Sequence, residues 1–393
     1  MAPHTASKLT ALVLGLLCAL PSGAFSVPRQ TDVELTPPPV IAIKLSPASF
    51  PNRKRQDASL AGAKLVESLV LQALPTPNLG RRDGTLKTLP LYNNLPSSTI
   101  DKIIQDAEAN DPTYRAPNFH AWFQVSLPDA ATDFFVNLPH GTAVLGILFA
   151  VSDNGLGGIG VAPAARGAVV SVLRGDVPRD NNPAGIMDAA GRMSAGDVML
   201  LEMQVSNAAE DEYWPAELYD AEFDAIRLAT AKGIVVIEPA GNGVKGLDAD
   251  GNPREGTAGV DLDGPVVRPG ETEAREYLRR GSEWFRESGA IMQLWGRVDV
   301  HAWGENVTTT GCVADFNGCE DAYVQFGGTS AAAPIVAGAA LSVQGMLSAK
   351  GKRKLNSVEM GELLKIGGTK VAEGAGNIGV MPDLKALIDG GHV

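Results

Sequence analysis

The sequence predicts an α/β protein, a parallel sheet with helices on both faces, preceded by a small α+β region. Three observations predict it. From about Pro139 onward, aliphatic runs bounded by glycine ("GAVVSVLRG", "GDVMLLEMQV", "GIVVIEPAGN") alternate with small-residue or charged helical stretches. Apolar runs of this kind suit strands buried on both faces, as in a parallel sheet covered by helices. Residues 61–125 instead mix helical patterns with one alternating, strand-like stretch. Finally, 45% hydrophobic and 20% charged residues in a chain of 393 is the balance of a globular protein with a sizeable core.

Taken in order, the chain divides into residues 1–26, 27–125 and 126–393. The first segment, "MAPHTASKLTALVLGLLCALPSGAFS", has one lysine, an apolar run Leu9–Leu20 and a small-residue stretch ending at Ser26. That is the anatomy of a secretory signal peptide, so an extracellular protein is expected. The run is short for a membrane anchor. Residues 27–60 are rich in proline and charge around one strand-like run, "VIAIKLS". Next come two helical patterns, "GAKLVESLVLQAL" and "TIDKIIQDAEA", and the alternating "PNFHAWFQVSLP", which places His120 in a strand. His301 lies in another strand-like run, "VDVHAWG". Ala331–Ala349 is uncharged and long enough to cross a bilayer. Its seven alanines and two glycines make it only modestly hydrophobic, and a buried helix is the better reading.

Composition narrows the partners. A formal net charge of −12 disfavours nucleic acid and anionic membrane surfaces. No convincing metal-ligand spacing is present, and neither a metal nor another cofactor is expected. Cys312 and Cys319, in "GCVADFNGCE", suit one local disulfide in an oxidising compartment, or two free thiols. "NVT" at Asn306–Thr308 is a glycosylation acceptor sequence.

Three polar residues stand where chemistry can be done. Ser330, in "FGGTSAAAPIVAGAA", opens an apolar helix, where free backbone N–H groups and the helix dipole favour negative charge. Alone it reads equally as a helix N-cap. A serine hydroxyl needs a base, and His140 in "NLPHGTAVLGILFAV" starts a second small, apolar helix. Asn242 ends the aliphatic strand of "VVIEPAGNG", where its amide could donate to a developing oxyanion or simply make a turn.

The order "HGTAVLG", "PAGN", "GGTSAAAPIVAGAA" resembles the subtilisin-like serine peptidases, the subtilase family, over about residues 139–393. The resemblance implies Ser330 as nucleophile, His140 as general base and Asn242 as oxyanion-hole donor. It also implies a protein or peptide substrate, a monomer, and an inhibitory, folding-assisting propeptide in residues 27–125. Ser330 lacks the G-x-S-x-G elbow of α/β-hydrolases. Sedolisins share the Ser region without this His motif. "GDVMLLEMQV" departs from the family's substrate-binding strand and puts Glu202 near the expected cleft.

The family also needs an aspartate that orients the histidine, at the end of an apolar strand about 30 residues before it. Asp83 and Asp111 follow no apolar strand, and Asp129 and Asp133 stand too close to His140. The Asp strand therefore reads as absent, with a block missing near 125–139. A natural deletion and a mis-spliced gene would both produce this. The chain is then either an impaired peptidase or an inactive relative that binds peptides or a partner protein.

Overall fold

The computed structural model describes residues 10–15, 40–44, 87–126, 138–155, 157–172, 181–207, 212–241, 243–244, 298–311, 323–370 and 379–393. The first half of the chain holds β1 (Thr10–Gly15), β2 (Val40–Lys44), β3 (Lys87–Pro90), α1 (Ser97–Asn110), β4 (Trp122–Ser126), α2 (Leu138–Phe149), β5 (Arg166–Ser171) and α3 (Asn182–Arg192). Then come β6 (Val198–Glu202), β7 (Val205–Asn207), β8 (Glu212–Trp214), α4 (Asp220–Ala231), β9 (Val235–Ile237) and β10 (Gly243–Val244). The last part holds β11 (Val307–Thr310), β12 (Tyr323–Phe326), α5 (Thr329–Ala349), α6 (Ser357–Lys365), β13 (Thr369–Lys370), β14 (Val380–Met381) and α7 (Leu384–Asp389).

The main sheet runs β5–β1–β6–β9, and every pairing in it is parallel. All five residues of β6 are buried, as a two-faced strand requires. Alternation sorts them. Val198 and Leu200, with Val235 and Ile237 of β9, join a core with Val144 and Leu148 of α2 and Val336 and Ala340 of α5. Met199, Leu201 and Val236 point the other way, toward Ile186 and Met187 of α3 and Leu228 of α4. Each such Val, Leu, Ile or Met side chain, fully buried, contributes about 1.5–3 kcal/mol. Helix starts follow their sequences. The Asn181 side chain accepts from Ala184 N at 3.1 Å, and Asn356 and Glu359 form a capping box on α6. Helix α5 is the membrane-length segment, and 72% of its apolar window is buried within the fold. It is a core helix.

The N-terminal α+β region has an antiparallel sheet, β2–β4–β3, with α1 beside it. It shares its core with the main domain: Ile100, Ile103, Phe119 and Trp122 belong to the cluster built around α3 and α4. Polar ties cross the same boundary. Asn181 Nδ2 donates to Leu91 O at 2.7 Å, Asn110 Nδ2 to Ala231 O at 2.8 Å, and Trp122 Nε1 to Asp224 Oδ2 at 3.1 Å. The region is thus welded to the helices on one face of the main sheet.

Some sequence expectations shift. His120 sits in a short 3₁₀ turn, Phe119–Ala121, just before β4, with Nε2 3.1 Å from Asp101. "VDVHAWG" forms no strand. It makes an isolated bridge from Val300 to Val380, and His301 N donates to Val380 O at 3.0 Å. Asn306 is exposed, with a left-handed φ of 52°, a conformation asparagine tolerates in turns. The helical pattern "GAKLVESLVLQAL" and both Cys312 and Cys319 lie outside the described residues.

Strand β1 comes from the stretch expected as a leader. In the full chain, Leu12 pairs with Ala168 of β5 on one side and Met199 of β6 on the other. The physical reason is plain. A short uncharged apolar run is also what a two-faced parallel strand requires, and periodicity alone cannot separate the two uses. Leu12→Pro would remove a backbone N–H from the middle of this ladder. It is expected to lower the melting temperature of the full-length chain by several degrees or prevent folding. Unchanged melting by circular dichroism would show that the sheet does not need β1.

Candidate active site

Ser330 is the second residue of α5. The N-cap is Gly328, which makes no side-chain capping bond, so Ser330 is not the cap that its motif allowed. Gly328 has a φ of 80°, which a side chain would strain, and its N–H donates to Gly304 O at 2.7 Å. Thr329 is buried, Ser330 half-buried, and Ala331–Ala333 buried beneath it. The small side chains let the helix start within a crowded interior while the hydroxyl stays at its rim. Pro334 is the sixth residue of α5, past the first turn, and lacks the N–H that would bond the Ser330 carbonyl. That leaves the Ser330 carbonyl, an acceptor, without its helical donor; separately, the first-turn N–H groups at the amino end of a helix favour developing negative charge.

His140 is the third residue of α2, and α2 packs against α5 on the same face of the sheet. Its ring meets Phe326 edge-on, with centroids 5.1 Å apart and planes at 78°. Phe326 ends β12, four residues before Ser330, so the ring lies against the segment that delivers the serine. Burial lowers the His140 pKa to about 4, which keeps the imidazole neutral and makes it a weak base. The rest of its motif is structural. A Cβ at Gly146 would stand 2.1 Å from Thr310 Oγ1 and 2.4 Å from Thr309 Oγ1. Without one, Thr309 Oγ1 donates to Ala143 O at 2.7 Å and Thr310 Oγ1 to Thr142 O at 2.9 Å. Strand β11 is clamped to the histidine helix through these two bonds.

Asn242 lies outside the described residues. The turn leading to it does not: Glu238–Gly241 is buried, and Gly241 has a φ of 90°. That turn leaves the carboxyl end of β9, the edge of the sheet that also carries Glu202.

Glu202 is the residue whose place the sequence reading understated. It ends β6, is 2% exposed, and by alternation shares the face of Val198 and Leu200 with α5. Burial raises its pKa well above the ordinary carboxylate range, and the Ser330 side chain draws it partly back. Neither carboxyl oxygen has a hydrogen-bond partner among the described residues. The signal was in the sequence: "VMLLE" closes an otherwise apolar strand on an acid. Two more buried acids, Glu238 and Glu222, belong to the opposite face. Burial raises both, and their mutual repulsion adds to the rise of Glu238.

Of the aspartates weighed as partners for the histidine, Asp111 caps α1 and accepts from Thr113 N at 2.9 Å and Thr113 Oγ1 at 2.6 Å. It is a local turn residue. Asp83, Asp129 and Asp133 lie outside the described residues. Strand β1, between β5 and β6, ends on Gly15 opposite Glu202 and brings no carboxylate there. Among the described residues, no group of three or more His, Cys, Asp or Glu side chains could hold a metal ion.

The profile of the subtilase family matches residues 128–363. Solved structures similar to the chain include the prenylagaramide maturation protease PagA, at 18% identity and a TM-score of 0.44, covering 64% of this chain and 81% of that one. The self-cleaved protease domain of PatA has 19% identity and a TM-score of 0.43, with 67% and 88% covered. Fervidolysin from Fervidobacterium pennivorans, a keratinolytic enzyme related to subtilisin, has 20% identity and a TM-score of 0.43, with 64% and 36% covered. No curated protein matches the chain.

Two measurements test this geometry. The His140 pKa of about 4 lies below the 6.5 of a free histidine. The unfolded chain therefore takes up this proton first, and stability present above pH 6.5 should drain as pH falls toward 4. A His140 ring titration by NMR centred at or above 6.5 would contradict the burial described. Separately, Gly146→Ala should destabilise the fold by about 1–3 kcal/mol in urea titrations, because overpacking outweighs the helix-propensity gain. No loss would mean that β11 does not clamp α2.

Proposed function

The chain belongs to the subtilase family, and from that premise we propose that it is a secreted serine endopeptidase acting as a monomer on protein or peptide substrates. Ser330 is the nucleophile, His140 the general base and Asn242 the oxyanion-hole donor. The observation that carries this reading is the placement of Ser330 and His140 at the amino ends of two helices packed together on one face of the sheet. Attack of the hydroxyl oxygen on a peptide carbonyl would put negative charge beside the donors of α5, and the Asn242 amide would add one more. Secretion rests on the leader pattern of residues 1–26.

A second reading, an inactive relative that binds peptides or a partner protein, is favoured by β1 ending on Gly15 and by the local ties of Asp111. A triad without its aspartate retains only a small part of its rate, about 10⁻⁴ of kcat where the aspartate alone is replaced. Casein or peptide hydrolysis by the full chain is therefore expected to be orders of magnitude below that of a complete subtilase, and absent in Ser330→Ala. Equal rates for the chain and Ser330→Ala would leave the binding reading standing.

A further inference from the structure

One motif of the sequence has no part in the chemistry of the serine. "NVT" at Asn306–Thr308 is the one Asn-x-Ser/Thr triplet in the 393 residues. The fold puts it on the surface and beside the serine. Asn306 and Thr308 are exposed, the chain bends at Glu305 and Asn306, and Asn306 has a left-handed φ of 52°. Val307 pairs with Phe326, whose ring meets His140. Gly304 O accepts from the N–H of Gly328, the N-cap of α5, at 2.7 Å. Asn306 is thus held from both sides to the segment Phe326–Gly328 that delivers Ser330.

The same loop carries a second feature. Trp303, three residues before Asn306, is 66% exposed. An indole left in water forgoes the burial that its large apolar face would gain. A pyranose ring presents a face of C–H groups of similar size. Three residues span at most about 11 Å, and the bend between Trp303 and Asn306 shortens that. A sugar fixed to Asn306 is therefore tethered within reach of the indole.

We propose that Asn306 carries an N-linked glycan whose first sugar packs on Trp303 and whose outer sugars stand over the rim of the Ser330 site. The consequence for substrates rests on the reading of Ser330 as a nucleophile: short or extended peptides reach it, and bulky folded proteins are held back. The glycan itself does not depend on that reading.

The step balances. The donor is an oligosaccharide carried on a lipid diphosphate, met as the chain enters the secretory compartment. Asn306 Nδ2 bonds to the anomeric carbon of the first sugar. The bond from that carbon to the diphosphate oxygen breaks, its electron pair leaves with the diphosphate, and an amide proton goes to a base of the transferase. Transfer to the unfolded chain comes first. Folding then fixes Thr308 in β11, where its hydroxyl accepts from Gln325 Nε2 at 2.9 Å.

The test compares the full chain exported by a eukaryotic host with the same chain exported to a bacterial periplasm that adds no such glycan. Asn306→Gln and Trp303→Ala are made in both. Mass spectrometry of the eukaryotic product should find a glycan on the peptide containing Asn306 and none in Asn306→Gln. An unmodified Asn306 overturns the proposal. Trimmed to its first sugar, the glycan should raise the melting temperature by about 2 °C over the bacterial product, and by less than about 0.5 °C in Trp303→Ala. An equal rise in both overturns the packing on Trp303. Labelling of Ser330 by a fluorophosphonate linked to a large dextran should be about tenfold slower in the glycosylated chain, with the free probe changed less than about twofold. Equal effects on the two probes overturn the placement over the site. If the free probe labels neither form, the nucleophile reading falls and the size limit with it, while mass and melting still decide the glycan.

Discussion

The structure depends on burying β6 and β9 on both faces at once. A strand in that position can carry polarity only where it runs out, and here each meets an acid at its carboxyl end, Glu202 and Glu238. Helices α2 and α5 close one face, α3 and α4 the other. The carboxyl edge of the sheet is therefore the boundary between a dry core and whatever approaches from outside. Ser330, His140 and Glu202 stand on the same side of that boundary because alternation and helix packing leave them no other.

The same dryness sets the electrostatics. Low polarity penalises whichever form of a group is charged, so it moves an imidazole and a carboxyl in opposite directions. Burial lowers the basicity of His140, whose ring also meets the edge of Phe326. Glu202 is raised by the same cause. Family membership indicates the reaction class.

Strand β1 shows how one stretch of sequence can satisfy two physical demands. A leader needs a short uncharged apolar run, and so does a central parallel strand. Between β5 and β6 the sheet offers a strip of backbone donors and acceptors on both sides. Residues 10–15 meet that demand over six pairs with β5 and five with β6. They supply hydrogen bonds and no carboxylate.

By itself the sequence determined the class of fold, the helices that begin near His140 and Ser330 and the buried nature of α5. All of these are local patterns, set by periodicity, glycine placement and motif order, and they are readable without knowing what packs against what. Only the tertiary structure decided that Gly328 rather than Ser330 caps α5, that Gly146 admits β11, that β1 lies between β5 and β6, and that Glu202 faces Ser330. Each of those joins residues more than a hundred positions apart or depends on a single backbone angle. Neither long-range contact nor a φ value leaves a mark in the local composition from which a sequence is read.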